Sequence, residues 1–354
     1  MAHSFVRTAA ALVAAPVLAL SFALPAGATA VAVRYRQPFE GWQLVPNLSR
    51  TSQPEQNATL ASSTQSTGVV LIDTTVDYGV GAAAGTGLVL SSDGIVVTNH
   101  HVVKSSTQVE VTDPATGNSY TADVIGYDPK TDVAVLKLED ASGLATVATD
   151  TSAVATGDDV TAVGNSNGGG VLTAASGEVT DTDSDINVSG DDGSTEHLTD
   201  LIEVDATVVP GDSGGALLDD DGEVVGMNVA ASSNGSTGYA IPISTVLNLA
   251  DQILAGDASG AVTLGYGPAL GLQLNTQGSH LLVVGVVNGS AADQAGVTPG
   301  SVLTEFNGEQ LSDYSDLTAA MAKLSPGDTA KLSWVDADGT AQSATVTLGR
   351  APLA

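Results

Sequence analysis

Ser213 stands in Val209-Pro210-Gly211-Asp212-Ser213-Gly214-Gly215-Ala216-Leu217, with glycine two places before it and directly after it. Glycine has no Cβ, so main-chain N–H groups can crowd around one point. Acyl transfer needs such a place: a hydroxyl nucleophile with main-chain donors aimed at the developing oxyanion. Gly211 and Ser213 would supply the two N–H groups. A serine hydroxyl also needs a base, and the base needs an orienting carboxylate. Upstream, Val97-Thr98-Asn99-His100-His101-Val102-Val103 offers two imidazoles. Asp128-Pro129-Lys130-Thr131-Asp132-Val133-Ala134-Val135-Leu136 offers two carboxylates.

The order histidine, aspartate, serine is that of the chymotrypsin-type triad, not of subtilisin or the α/β-hydrolases. With these three motifs the sequence resembles the HtrA/Deg-type serine proteases, from about residue 66 to 350. The family writes its histidine motif Thr-Asn-x-His-Val, which selects His101 over His100. Its aspartate motif, Thr-Asp-x-Ala-Val-Leu, selects Asp132 over Asp128. The resemblance implies that Ser213 attacks a peptide carbonyl, His101 carries the proton, and Asp132 fixes the imidazole. Asp212 stands where the family commonly has Asn. No Arg-Ile-Val-Gly-Gly-type activation site occurs, so Asp212 is expected to find a side-chain or backbone partner within the chain. His100 reads as a neighbouring loop residue, and His197 and His280 receive no role.

In the resembled fold the specificity pocket begins a few residues before the serine, at Ala206, Thr207 and Val208. No carboxylate stands there to receive Lys or Arg, so small or medium aliphatic P1 residues are expected. Asn228, Val229 and Ala230 form the facing strand, which can pair with substrate backbone.

Two segments invite other chemistry and lack its requirements. The run from Gly164 to Gly170 is glycine-rich but has no following Lys-Ser/Thr, so it reads as a mobile loop and not a phosphate cradle. Asp181, Asp183, Asp185, Asn187 and Asp192 echo a calcium loop. Ile186 occupies its glycine position and Asp192 its glutamate position. The acidic run 181–200 therefore reads as a flexible loop near the active site, with no metal or other cofactor expected.

These residues need scaffolds. Short apolar or alternating runs at 68–73, 87–91, 95–98, 108–112, 120–127 and 133–138 predict six strands of a small barrel. Ser92-Asp93-Gly94 is a tight hairpin turn between two of them. A second set at 160–164, 172–179, 201–209, 216–218, 224–230 and 239–242 predicts a second barrel. The fold class is thus mostly β, a chymotrypsin-like double barrel whose cleft lies between the barrels. Ser244 is the candidate cap of a closing helix, 246–254, with Val246, Leu247, Ala250 and Leu254 on one stripe.

A Gly/Ala/Ser/Asp linker, 255–261, separates this protease domain (68–254) from 262–350. The latter reads as strand, strand, short helix, strand, helix, strand, strand. Leu270-Gly271-Leu272 matches the carboxylate-binding loop of HtrA-type PDZ domains, with Ala269 where the family usually has an aromatic. A C-terminal peptide would add beside 271–275. Leu317, Ala320, Met321 and Leu324 have helical spacing; Leu317 and Met321 would serve both core and groove wall.

The chain has 354 residues, 40 acidic against 10 basic, a net charge of −30, and no cysteine. Such a surface repels nucleic acid and anionic lipid. Without disulfides, core packing alone must hold the fold. Arg7, an apolar run 9–24 and Ala28-Thr29-Ala30 read as a signal peptide, 1–30, and place the protein outside the cytoplasm; an uncleaved anchor is the alternative. Residues 31–67 read as a flexible segment, Ser/Thr/Gln/Asn-rich from 47. Arg34, Tyr35, Arg36, Phe39 and Trp42 stand out within it. A disordered tether is the simpler reading, and the resemblance implies that such aromatics help build a trimer. The leading function is a secreted endopeptidase acting on unfolded or damaged proteins, with polypeptides and C-terminal peptides as partners. The competing one is a non-catalytic, chaperone-like peptide binder.

Overall fold

A computed structural model describes residues 58–189, 195–231, 237–275 and 280–353. The signal peptide and the Arg34–Trp42 cluster lie outside these residues.

Six antiparallel strands close into one barrel in the order Val69–Val76, Gly81–Val89, Ile95–Thr98, Val133–Leu138, Asn118–Asp128, Ser106–Asp113. Strand side chains alternate between faces, and here both faces are covered. Val70, Ile72, Val89, Val96, Val111 and Leu136 pack together in one cluster. Val69, Leu71, Leu88, Val97 and Val135, their sequence neighbours, join a second cluster with residues of the next sheet. That explains why Val69-Val70-Leu71-Ile72 is a continuous apolar run rather than an alternating one.

The second sheet has seven strands in the order Thr59–Leu60, Thr173–Ser189, Thr195–Val204, Gly238–Pro242, Val224–Ala231, Ala216–Leu218, Asp159–Gly164. Two stretches differ from the sequence reading. The described parts of the acidic run are paired strands, not a loop: Thr195 faces Ser189 and Leu198 faces Ile186, while 190–194 lie outside the described residues. Leu198 is buried and Ile186 packs on the shared core; these few apolar residues outweigh the acidic neighbours. The polar stretch before Gly68 is ordered from residue 58. Thr59 and Leu60 pair with Ala174 and Thr173, and Ser62 N–H donates to Gln65 Oε1 at 2.9 Å while accepting Ser66 at its carbonyl. Its serines and Gln65 thus bond one another.

Helix α2, Ile243–Leu254, follows Pro242, which is its N-cap without a side-chain bond; Ser244 is inside the helix and caps nothing. The buried stripe is Ile243, Val246, Ala250 and Ile253, and Leu254 is exposed. The stripe shifted because the helix starts three residues earlier than its apolar pattern suggested.

The C-terminal region is a five-strand path, Leu272–Asn275, Leu281–Val286, Val302–Phe306, Thr329–Val335, Ala341–Thr347. Two helices, Ala291–Ala295 and Tyr314–Met321, cover it. Ser290 caps the first through its side chain, and Asp313 caps the second. Phe306, Leu332 and Trp334 fill its core.

Candidate active site

Strand Ile95–Thr98 ends and one turn of helix, α1 (His100–Val103), begins. Asp132 directly precedes the paired strand Val133–Leu138. The antiparallel pairing of the two strands brings His101 and Asp132 to one end of the barrel. His101 Nδ1 lies 2.6 Å from Asp132 Oδ2, and His101 N–H donates to Asp132 Oδ1 at 2.8 Å. Asp132 is 1% exposed, whereas the His101 side chain is 40% exposed. A buried carboxylate on Nδ1 leaves Nε2 as the nitrogen that can face a reactant.

Asp132 has φ of +59°, a left-handed conformation that a non-glycine residue keeps only where its surroundings hold it. They do so here. Its carbonyl accepts His100 N–H at 3.2 Å and Asn99 Nδ2 at 3.0 Å. His100 is not the loop residue the sequence suggested. It is 1% exposed and stacks on Tyr127 with ring centroids 4.7 Å apart.

Ser213 lies in the turn before strand Ala216–Leu218. Its carbonyl accepts Thr86 N–H at 2.9 Å, from the barrel strand Gly81–Val89. Gly85, one residue earlier, is where α1 and the serine turn converge. A Cβ there would stand 2.6 Å from Val102 Cγ1 and 3.3 Å from the Ser213 carbonyl oxygen. The Ser213 hydroxyl donates to Val229 O at 3.4 Å.

The turn itself is braced on three sides. Gly211 has φ of +99°, which only glycine adopts freely. Pro210 O accepts Asn167 N–H at 2.6 Å. A trans peptide is planar with C=O and N–H opposed, so this bond turns the Gly211 N–H the other way. Neither Gly211 N–H nor Ser213 N–H finds an acceptor among the described residues. Asp212, 5% exposed, accepts Ser166 Oγ at 2.8 Å and Val209 N–H at 2.9 Å; the side-chain and backbone partners expected for it thus lie within the chain. The glycine-rich segment supplies both Ser166 and Asn167, and Asn165 N–H donates to Thr86 Oγ1 at 2.9 Å. It is a brace and not a mobile loop.

Thr86 has no signal in the sequence, yet it joins these parts. It is fully buried; its hydroxyl donates to Gly211 O at 2.7 Å and its carbonyl accepts Thr98 Oγ1 at 2.7 Å. Thr98 and Asn99 could have been found as the Thr-Asn of the histidine motif.

A family model described as a trypsin-like peptidase domain matches residues 85–227, and a PDZ domain model matches 268–348. The chain thus joins a trypsin-like peptidase domain to a PDZ domain. Serine protease PepD of Mycobacterium tuberculosis is 28% identical over 326 residues, 86% of this chain and 69% of its own. A probable periplasmic serine endoprotease, DegP-like, from Bartonella henselae is 34% identical over 264 residues, 71% of this chain and 50% of its own. The chain therefore spans about half the length of the DegP-like relative. Among solved structures, the Rv3671c protease from M. tuberculosis in its active form aligns with 30% identity, 53% of this chain, 82% of that one, and TM-score 0.48. The HtrA-type protease AlgW with tripeptide aligns with 25% identity, 83% of this chain, 99% of that one, and TM-score 0.48.

In this two-domain chain the remaining site residues fall in two places. Ala206 and Val208 are buried beside the serine turn, and a Cβ on Gly238 would meet Val208 Cγ2 at 2.5 Å. Thr207 is half-buried between them. Asn228 differs from its expected role of pairing with substrate. Its carbonyl accepts Gly214 N–H, its N–H donates to Gly215 O, and its amide donates to Ala216 O at 3.0 Å. A fully buried side chain with both main-chain groups engaged supports the turn from beneath. Val229 and Ala230 follow it on the same strand.

In the PDZ region, Leu270 is buried and Gly271 O accepts Val287 N–H at 2.9 Å. Leu272 begins the edge strand of the sheet, whose outer side has no neighbouring strand among the described residues. Leu317 is buried in the core and Met321 packs partly against it. Leu324 lies past the helix end.

Proposed function

We propose that this chain is an exported endopeptidase that cleaves unfolded or damaged polypeptides through His101, Asp132 and Ser213. The 2.6 Å contact between His101 Nδ1 and a buried Asp132 carboxylate carries the reading. Ser213 Oγ leaves Val229 O, passes its proton to His101 Nε2 and attacks the scissile carbonyl. Asp132 holds the tautomer and stabilises the imidazolium. Gly211 N–H and Ser213 N–H receive the oxyanion. The imidazolium then protonates the leaving amine, and water repeats the cycle to release the acyl group. In unliganded enzymes the serine–histidine bond is often long and tightens with substrate.

The protease domain is read as 68–254 and the PDZ domain as 262–350, joined by 255–261. The seven-stranded sheet serves as the second barrel; pairing of Asp159–Gly164 with Thr173–Ser189 supports that reading. Residues 1–30 act as the export signal, in keeping with the periplasmic name of the DegP-like relative. Trimer formation through Tyr35, Phe39 and Trp42 rests on the family resemblance alone.

Thr207, Val208, Val229 and Ala230 are read as the substrate-binding residues, and with no carboxylate among them a small aliphatic P1 side chain is the better fit. Casein and a P1-varied peptide library test both claims together. Wild type should digest casein and favour Ala or Val at P1, while Ser213→Ala does neither. Casein digestion retained in Ser213→Ala, or preference for Arg at P1, contradicts the reading.

A further inference from the structure

The chain beyond the PDZ core returns to the barrel. Leu348 is buried in the PDZ core, and shortly afterwards Leu353 is 3% exposed in the barrel cluster that holds Val102 and Val103 of α1. The main chain follows the side chain. Leu353 O accepts Ser105 N–H at 2.9 Å, and Leu353 N–H donates to Ser106 O at 3.3 Å. Ser105 is the turn by which the chain leaves α1, and its φ is +59°. Serine adopts that conformation only where something holds it. Upstream, Arg350 Nη1 donates to Asp123 Oδ1 at 2.6 Å and Arg350 O accepts the Tyr78 hydroxyl at 2.8 Å. The segment is therefore fixed at both ends.

We propose that residues 349–353 are a positioning element of the active site, with Leu353 holding the exit turn of α1 and so the His101 imidazole in register with Asp132. This rests on His101 being the catalytic base. The six-stranded barrel closes without Leu353, so its loss loosens one turn of helix rather than the fold. The residues read as binding substrate, 207–208 and 229–230, do not contact Leu353's barrel cluster, so the effect falls on kcat and not on KM.

The test uses the full chain with one fluorogenic peptide, at a temperature well below unfolding. kcat is expressed per site titrated with a fluorophosphonate, so unfolded molecules drop out of the count. A Leu353→Ala enzyme should lose about tenfold in kcat per site, since small misplacements of catalytic groups reach about a hundredfold. KM should stay within about twofold. Leu353→Ile should restore most of the rate. Ser105→Gly, which adopts the left-handed turn freely, should be silent alone and should rescue Leu353→Ala. If Leu353→Ala does not fold, Arg350→Ala loosens the same segment from the surface and should show a smaller loss in kcat alone. Wild-type kcat per site in Leu353→Ala, or in Arg350→Ala where that variant is the one read, overturns the proposal, as does a change confined to KM. A wild-type protein that neither labels nor cleaves overturns the protease reading first, and this proposal with it.

Discussion

At the scale of single residues, the decisive feature is how tightly Asp132 is held. It is buried, left-handed, and bonded through its carbonyl and both carboxylate oxygens. Asn tolerates the same backbone conformation better than most residues. Asp132→Asn should therefore fold with a melting temperature near wild type, while kcat falls by about four orders of magnitude because the imidazole takes the wrong tautomer. Steady-state kinetics beside calorimetry checks both halves. Thr86 makes a complementary case. Thr86→Val keeps the shape and removes a hydroxyl that bonds Gly211 O and Asn165 N–H. Leaving such groups unpaired costs about 1–3 kcal/mol. A loss of roughly tenfold or more in kcat is expected, from a turn that no longer aims its N–H groups. A Thr86→Val enzyme with wild-type kcat would show that the Gly211 peptide is held by Asn167 alone.

At the scale of elements, motif chemistry was more legible than element shape. His101, Asp132 and Ser213 are set by short patterns, and the barrel strands by apolar runs whose two faces are both covered. The acidic strand pair was illegible because charge dominates its composition, while its pairing depends on a few apolar residues such as Ile186 and Leu198. Thr86 and Asn228 were illegible as supports because their partners lie far away in sequence. The same scale governs the PDZ region. Its edge strand, Leu272–Asn275, offers main-chain groups to an incoming strand, and Gly271 stands at its start. A peptide with an apolar C-terminal residue and a free carboxylate should bind. The amidated peptide should bind at least about tenfold more weakly, since it lacks the charge those N–H groups receive. Fluorescence anisotropy with both peptides decides this; equal affinity would contradict carboxylate capture.

For the whole molecule, the net charge of −30 sets the behaviour. The few cations are partly committed: Lys137 to Asp93, Lys323 to Glu309, Arg350 to Asp123. Elsewhere carboxylates face one another, as at Asp150, Asp219 and Glu223, whose oxygens lie within 4.8 Å. Like charges at that spacing repel, and the repulsion is screened as the Debye length falls from about 14 Å at 0.05 M to about 3 Å at 1 M salt. The melting temperature should therefore rise by several degrees between those sodium chloride concentrations. Scanning calorimetry that finds a fall would mean that the few ion pairs outweigh the repulsion.

The account as a whole turns on one hydroxyl. Wild-type protein treated with a fluorophosphonate, digested and mapped by mass spectrometry, should carry the adduct on Ser213 and on no other serine. His101→Ala should slow its formation by orders of magnitude. An unmodified Ser213 in folded wild-type protein, or labelling at the same rate in His101→Ala, would contradict it.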